Sequence, residues 1–137
     1  MIGHWSAAYV GIPWADHGRS RAAGCDCWGL VRLIYAEELG ISLPSYLEAY
    51  ATVEECREID AAIRDGAAGS SWVRVATAEA YDVAVMRIGR HVMHVGVMID
   101  GRRMINMVDR LGSRIEAIDG ALWARRVVGI HRHASRA

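Results

Sequence analysis

Gly24-Cys25-Asp26-Cys27-Trp28-Gly29-Leu30-Val31 marks the point where a polar turn gives way to an apolar helical pattern. Asp26 suits the N-cap, because its carboxylate can accept from a first-turn backbone N–H that has no acceptor within the helix. The helix predicted from this start runs to about Leu39, where Gly40 supplies the residue after the helix end and Pro44 forbids continuation. Cys27, Leu30, Val31 and Ile34 recur at helical spacing, so the sulfur falls on the face that packs into the protein. It also falls at the helix N-terminus, where backbone N–H groups and the positive end of the dipole favour thiolate over thiol, lowering a pKa that starts near ~8.5. A thiol so placed is a candidate nucleophile in need of a base.

Outward from this block, the chain is punctuated by turns. One helical turn around Ser6 to Val10 is followed by residues 11–20, where Pro13 and Gly18 break regular structure and an irregular loop is expected. Thr52 and Glu55 form a capping-box pattern, and Val53, Cys56, Ile59 and Ile63 give a second amphipathic helix that stops at Gly66. From Trp72 the period changes to two. Strands are predicted at Trp72 to Val75, Val83 to Ile88, His94 to Ile99, Arg103 to Val108, Arg114 to Ile118 and Val127 to His131, with one helical turn at Ala121 to Arg125. Helices first and an antiparallel meander afterwards describe an α+β domain, the N-terminal helices packed on one face of the sheet.

Bulk properties narrow the function. The 137 residues fit a single domain spanning 1–137, large enough to bury one core without metal or disulfide support. Sixteen basic residues balance sixteen acidic ones, so neither a broad basic surface nor a nucleic-acid partner is expected. No uncharged apolar run approaches ~18 residues, and Met1-Ile2-Gly3-His4-Trp5 lacks a basic segment followed by an apolar one. The expectation is a protein made soluble in the cytoplasm, with no signal peptide and no membrane insertion. Its three cysteines are odd in number, and Cys25 and Cys27 lie too close for an ordinary bridge. Cys25-Asp26-Cys27 also lacks the two-residue spacing of zinc knuckles, so neither metal nor cofactor is expected.

The candidate base is His94, which opens the run His94-Val95-Gly96-Val97-Met98-Ile99 ahead of the turn signal Asp100-Gly101. A two-residue loop at Asp100-Gly101 sets His94 opposite Met107 and sends Asn106 to the other face. A three-residue loop, Ile99-Asp100-Gly101, with Gly101 left-handed in a G1 bulge, sets His94 directly opposite Asn106. The Asp-Gly pair suits either turn. We adopt the second register because it brings an amide oxygen to one ring N–H and leaves the other ring nitrogen for the thiol. That is the nucleophile, base and orienter arrangement of cysteine hydrolases.

Asp26-Cys27-Trp28-Gly29-Leu30-Val31-Arg32, Gly40-Ile41-Ser42-Leu43-Pro44-Ser45-Tyr46, Asp82-Val83 and His94-Val95-Gly96-Val97 together resemble the NlpC/P60 family of cysteine peptidases. The Asp-Cys-Trp-Gly-Leu-Val form of the first motif and Val127-Val128-Gly129-Ile130-His131-Arg132 resemble its phage-tail and gene-transfer-agent branch. The resemblance implies a papain-like α+β fold and hydrolysis of peptidoglycan stem peptides next to D-γ-glutamyl linked to diaminopimelate or lysine. On that footing Cys27 matches the nucleophile, His94 the base and Asn106 the third polar position, where the family most often has His. Trp14, Trp28, Asp26 and Arg19 are the expected substrate contacts. Trp14 stands where a Tyr is usual, and Tyr81 where a Gly commonly precedes Asp82. The same branch implies phage-like tail proteins as partners and delivery to the cell wall within a particle. Two alternatives are a structural tail component that keeps the fold without the chemistry, and a thiol acyltransferase using the same dyad.

Overall fold

The computed structural model describes residues 4–43, 72–88, 91–108 and 110–137. The predicted helix from Thr52 to Gly66, with Cys56, lies outside the described residues. A 3-10 turn at Trp5–Tyr9 leads into two short strands, β1 (Arg19–Ser20) and β2 (Gly24–Cys25), paired antiparallel. Helix α1 (Cys27–Ile34) follows, passes into a π-helical turn at Tyr35–Leu39, and ends at Gly40 with φ 66°, the left-handed end that glycine tolerates. Among the described residues six further strands follow: β3 (Trp72–Val75), β4 (Val83–Ile88), β5 (His91–Met98), β6 (Arg103–Val108), β7 (Gly112–Ala117) and β8 (Val127–His133).

The sheet is antiparallel throughout, but its order is β3-β8-β4-β5-β6-β7. This corrects the expectation of a simple meander. Only β4 to β7 follow one another; β8 returns across the sheet and inserts between β3 and β4. Each strand's alternation was readable, whereas its neighbour depends on packing that local periodicity does not encode.

Alternation divides the core into two layers. Val83, Val85, Val95, Val97, Ile105 and Met107 pack with Trp28, Leu30, Val31 and Ile34 of α1 on one side. Ala84, Met86, Met98, Met104 and Ile130 pack with Trp123 on the other. The buried residues of α1 are Leu30, Val31 and Ile34 of the expected stripe together with Trp28 and Gly29, while Cys27, which opens that stripe, is half-buried; Gly18 of the preceding loop lies against Gly29. The β5–β6 turn also departs from expectation. Its loop is Asp100-Gly101-Arg102, since Ile99 and Arg103 still bond across the ladder and the Asp100 carboxylate accepts from the N–H groups of Arg102 and Arg103. Gly101 is not in the left-handed region. Asn106 therefore pairs with Gly96 rather than with His94. The shift is by two residues, so the predicted face survives.

Candidate active site

Asp26 is extended (φ −88°, ψ −172°) and its Oδ1 accepts from the Gly29 N–H at 2.7 Å, so the predicted N-cap is in place. Arg19 Nη1 donates to the same oxygen at 2.7 Å, which compensates a carboxylate that is nearly excluded from solvent. The loop before α1 is held by Cys25 N–H to Pro13 O and Ala15 N–H to Cys25 O, with Trp14 bridged to Cys25. It can lie this close only because position 29 has no Cβ: one there would sit 2.0 Å from the Gly18 carbonyl oxygen. Cys27 thus opens the helix half-buried beneath a loop that presents Trp14.

His94, Gly96 and Met98 point away from the sheet face that α1 covers, so thiol and imidazole do not meet through that face. They line one cavity instead, at the end of the sheet. Where β4 and β6 stop, Ile88, Met107 and Val108 join Cys27, His94, Asn106, Glu116 and Trp123 around a cavity of about 440 Å³. Trp14, Asp16, Asp26 and Leu122 complete its lining.

The hydrogen bonds fix the imidazole's tautomer. Asn106 is fully buried, and its Nδ2 donates to Arg114 O (3.2 Å) and to Glu116 Oε1 (3.0 Å), both acceptors. Its Oδ1 must therefore face His94, whose Nε2 stands 2.8 Å away and carries the proton that is donated. Nδ1 is left as the nitrogen with a lone pair. The indole of Trp123 stacks on the imidazole, centroids 5.0 Å apart and planes 2° from parallel, while its Nε1 donates to Glu116 Oε1 at 3.3 Å. Hydrogen-bonded turns over residues 120–126 position that indole, in place of the single helical turn expected there. Gly96 makes room for this line of side chains, because a Cβ there would lie 2.6 Å from Met104 Sδ and 3.1 Å from Asn106 Cβ.

Burial pushes the His94 pKa below its ordinary value, while the Asn106 hydrogen bond and the Glu116 charge act in the opposite direction. Burial thus favours the neutral ring, the form that can accept a proton. Burial, and secondarily the charge of Asp26, push the Cys25 thiol up to about 11. Cys25 is fully buried, with its Sγ toward Ser20 O, and behaves as a core residue.

Cys27, His94, Asn106, Trp14 and Asp26 are thus brought to one cavity. Trp28 is not: it is 1% exposed and belongs to the core that α1 shares with the sheet. Arg19 bonds to Gly18 O and Asp26 and stands behind Asp26 rather than in the cavity's lining. Neither Glu116 nor Trp123 is among the residues the sequence points to. Alternation along β7 carries a signal for Glu116, since it follows the buried Asn106 face across one more strand; Trp123 lies in a turn without periodicity. Among the described residues no group of three or more metal-ligating side chains occurs.

The family model for the NlpC/P60 family matches residues 11–132, nearly the whole chain. The chain belongs to the NlpC/P60 family. Solved structures of the NlpC/P60 fold superpose on it: the NlpC/P60 domain of the peptidoglycan hydrolase SagA at 17% identity, TM-score 0.63, over 93% of this chain and 92% of that one. A protein similar to lipoprotein, of the NLP/P60 family from Staphylococcus aureus subsp. aureus Mu50, aligns at 24% identity and TM-score 0.63, covering 93% of this chain. An NlpC/P60 family protein from Bacillus cereus ATCC 10987 aligns at 19% identity and TM-score 0.66, covering 94%. The chain spans 38% of the length of each of these last two. No functionally curated protein matches the chain in sequence. At these identities the structural likeness carries the fold, which is the α+β NlpC/P60 fold.

Proposed function

We propose that this NlpC/P60 protein is a cysteine peptidase that hydrolyses peptide bonds of bacterial cell-wall peptide. One observation carries the reading: Cys27 at a helix start and His94 line the same cavity, with Asn106 occupying His94 Nε2 so that Nδ1 is the basic nitrogen. His94 Nδ1 takes the Cys27 proton as the sulfur adds to the substrate carbonyl carbon. The resulting oxyanion is met by the backbone N–H of Cys27, and one such donor is worth about 3 kcal/mol in the transition state. The C–N bond then breaks, His94 passes its proton to the leaving amine, and a thioester remains on Cys27. Water, deprotonated by the same Nδ1, hydrolyses the thioester and restores the thiol.

The resemblance points to stem peptides cut next to D-γ-glutamyl linked to diaminopimelate or lysine, and to a place among phage-like tail proteins that bring the enzyme to the wall. Trp14, 37% exposed and lining the cavity, and Asp26 are the substrate contacts we assign. Digestion of purified peptidoglycan by the wild type and by Cys27→Ala, with fragments identified by mass, tests this. Fragments ending at one peptide bond, released only by the wild type, are expected; the same fragments from both proteins would overturn it. Transfer of the acyl group to an added amine instead of water would favour an acyltransferase, and no turnover of any acyl substrate a structural role.

A further inference from the structure

Beyond the cysteine, histidine and asparagine, the site holds one carboxylate that touches two of the imidazole's neighbours. Glu116 Oε1 accepts from Asn106 Nδ2 at 3.0 Å and from Trp123 Nε1 at 3.3 Å. Asn106 in turn holds the Nε2 edge of His94, and Trp123 covers one of its ring faces. The three polar residues lie on a diagonal across neighbouring strands: Asn106 pairs with Gly96, two positions beyond His94, and with Arg114, two positions before Glu116. All three therefore share one sheet face and advance in one direction along it.

We propose that Glu116 is a positioning residue: its carboxylate, acting through Asn106 and Trp123, fixes both the edge and the face of the His94 imidazole and favours the protonated ring that forms during turnover. The inference rests on the reading of His94 as the base. A neutral amide fixes a tautomer but supplies no charge to an imidazolium; a carboxylate behind it supplies that charge without touching the ring. The amide relays the effect, because an N–H that donates to a carboxylate leaves its carbonyl oxygen a stronger acceptor. Among the described residues that line the cavity with the ring, the other ionisable groups are Cys27 of α1, its N-cap Asp26 and Asp16 of the preceding loop. Asp26 is compensated by Arg19, and Asp16 stands beside His17.

The test is Glu116→Gln, which keeps size and an acceptor oxygen but removes the charge, with Glu116→Asp as the variant that keeps it. The His94 ring-proton titration, followed by NMR in a Cys27→Ala background and assigned with His94→Gln, is read alongside kcat and KM on a peptidoglycan peptide. We expect Glu116→Gln to lower the His94 midpoint by roughly one unit and kcat by about tenfold with KM unchanged, and Glu116→Asp to recover most of the midpoint. An unchanged midpoint and kcat in a folded Glu116→Gln protein would overturn the assignment, as would a midpoint that falls equally in both variants. The titration does not depend on turnover. A wild type without hydrolytic activity therefore refutes the proposed function, while the His94 midpoint still decides the role of Glu116.

Discussion

Replacing Asn106 by Asp preserves the side chain's size and removes its two N–H donors. One Asp oxygen then faces Glu116 Oε1 across the 3.0 Å now spanned by a hydrogen bond, and also faces Arg114 O. Two full charges at that separation repel by about 5 kcal/mol at an effective dielectric of ~20, equivalent to about four pKa units. The pair must therefore share a proton at neutral pH. Its folded pKa lies above the unfolded carboxyl value of ~4, so the variant's stability is intact below about pH 4 and is lost as pH rises through the raised value. The full effect amounts to about 4 kcal/mol between pH 4 and pH 7; because Glu116 is partly exposed, solvent screening reduces it to about 2 kcal/mol. Urea denaturation of wild type and Asn106→Asp at about pH 4.5 and about pH 7.5 measures this as a stability difference that widens with pH. The double variant Asn106→Asp/Glu116→Gln should narrow the widening, leaving only what burial of the new carboxyl contributes. A difference that stays constant across that range would refute the placement of Asn106 against Glu116.

Gly29→Ala should cost about 3 kcal/mol in denaturant unfolding, since its Cβ meets the Gly18 carbonyl and backbone must move. Gly40→Ala, with open space but φ 66°, should cost only about 1 kcal/mol; equal losses would contradict the close approach of loop and helix. His94 is held neutral by burial, with a folded pKa below its unfolded value. The unfolded chain thus takes up its proton first, and His94's contribution, complete above about pH 6.5, is lost as pH falls through the folded value. The pH slope of stability below 6.5 should be shallower in His94→Gln than in the wild type; His133, also lowered, titrates in both proteins and cancels. Identical slopes would mean that the imidazole is not buried as described.

Residues 24–40 were readable because helix signals are local. A carboxylate at the N-cap, apolar residues at helical spacing and a glycine at the end are each decided within a turn or two of chain, and the structure places all of them as expected. The partnership of His94 with Asn106 was half readable. Strand alternation put both on one face, but the register depended on the Asp100 carboxylate capturing two backbone N–H groups, which moved the loop by one residue and made the contact diagonal. What could not be read is non-local. The insertion of β8 beside β4, the approach of the Gly18 carbonyl to Gly29, and the stacking of Trp123 on His94 each join segments whose separation in sequence carries no periodic signal. Glu116 belongs to the same class, its role arising only once three strands lie side by side.

The central claim is that His94 acts on the Cys27 sulfur. The rate of Cys27 alkylation by iodoacetamide, followed by peptide mass against pH in wild type and His94→Ala, tests it with the buried Cys25 as internal reference. Wild-type Cys27 should react at neutral pH at least about tenfold faster than in His94→Ala, whose rate should rise only at higher pH. Cys25 should stay unlabelled in both proteins. Superimposable Cys27 profiles with and without the imidazole would contradict the account.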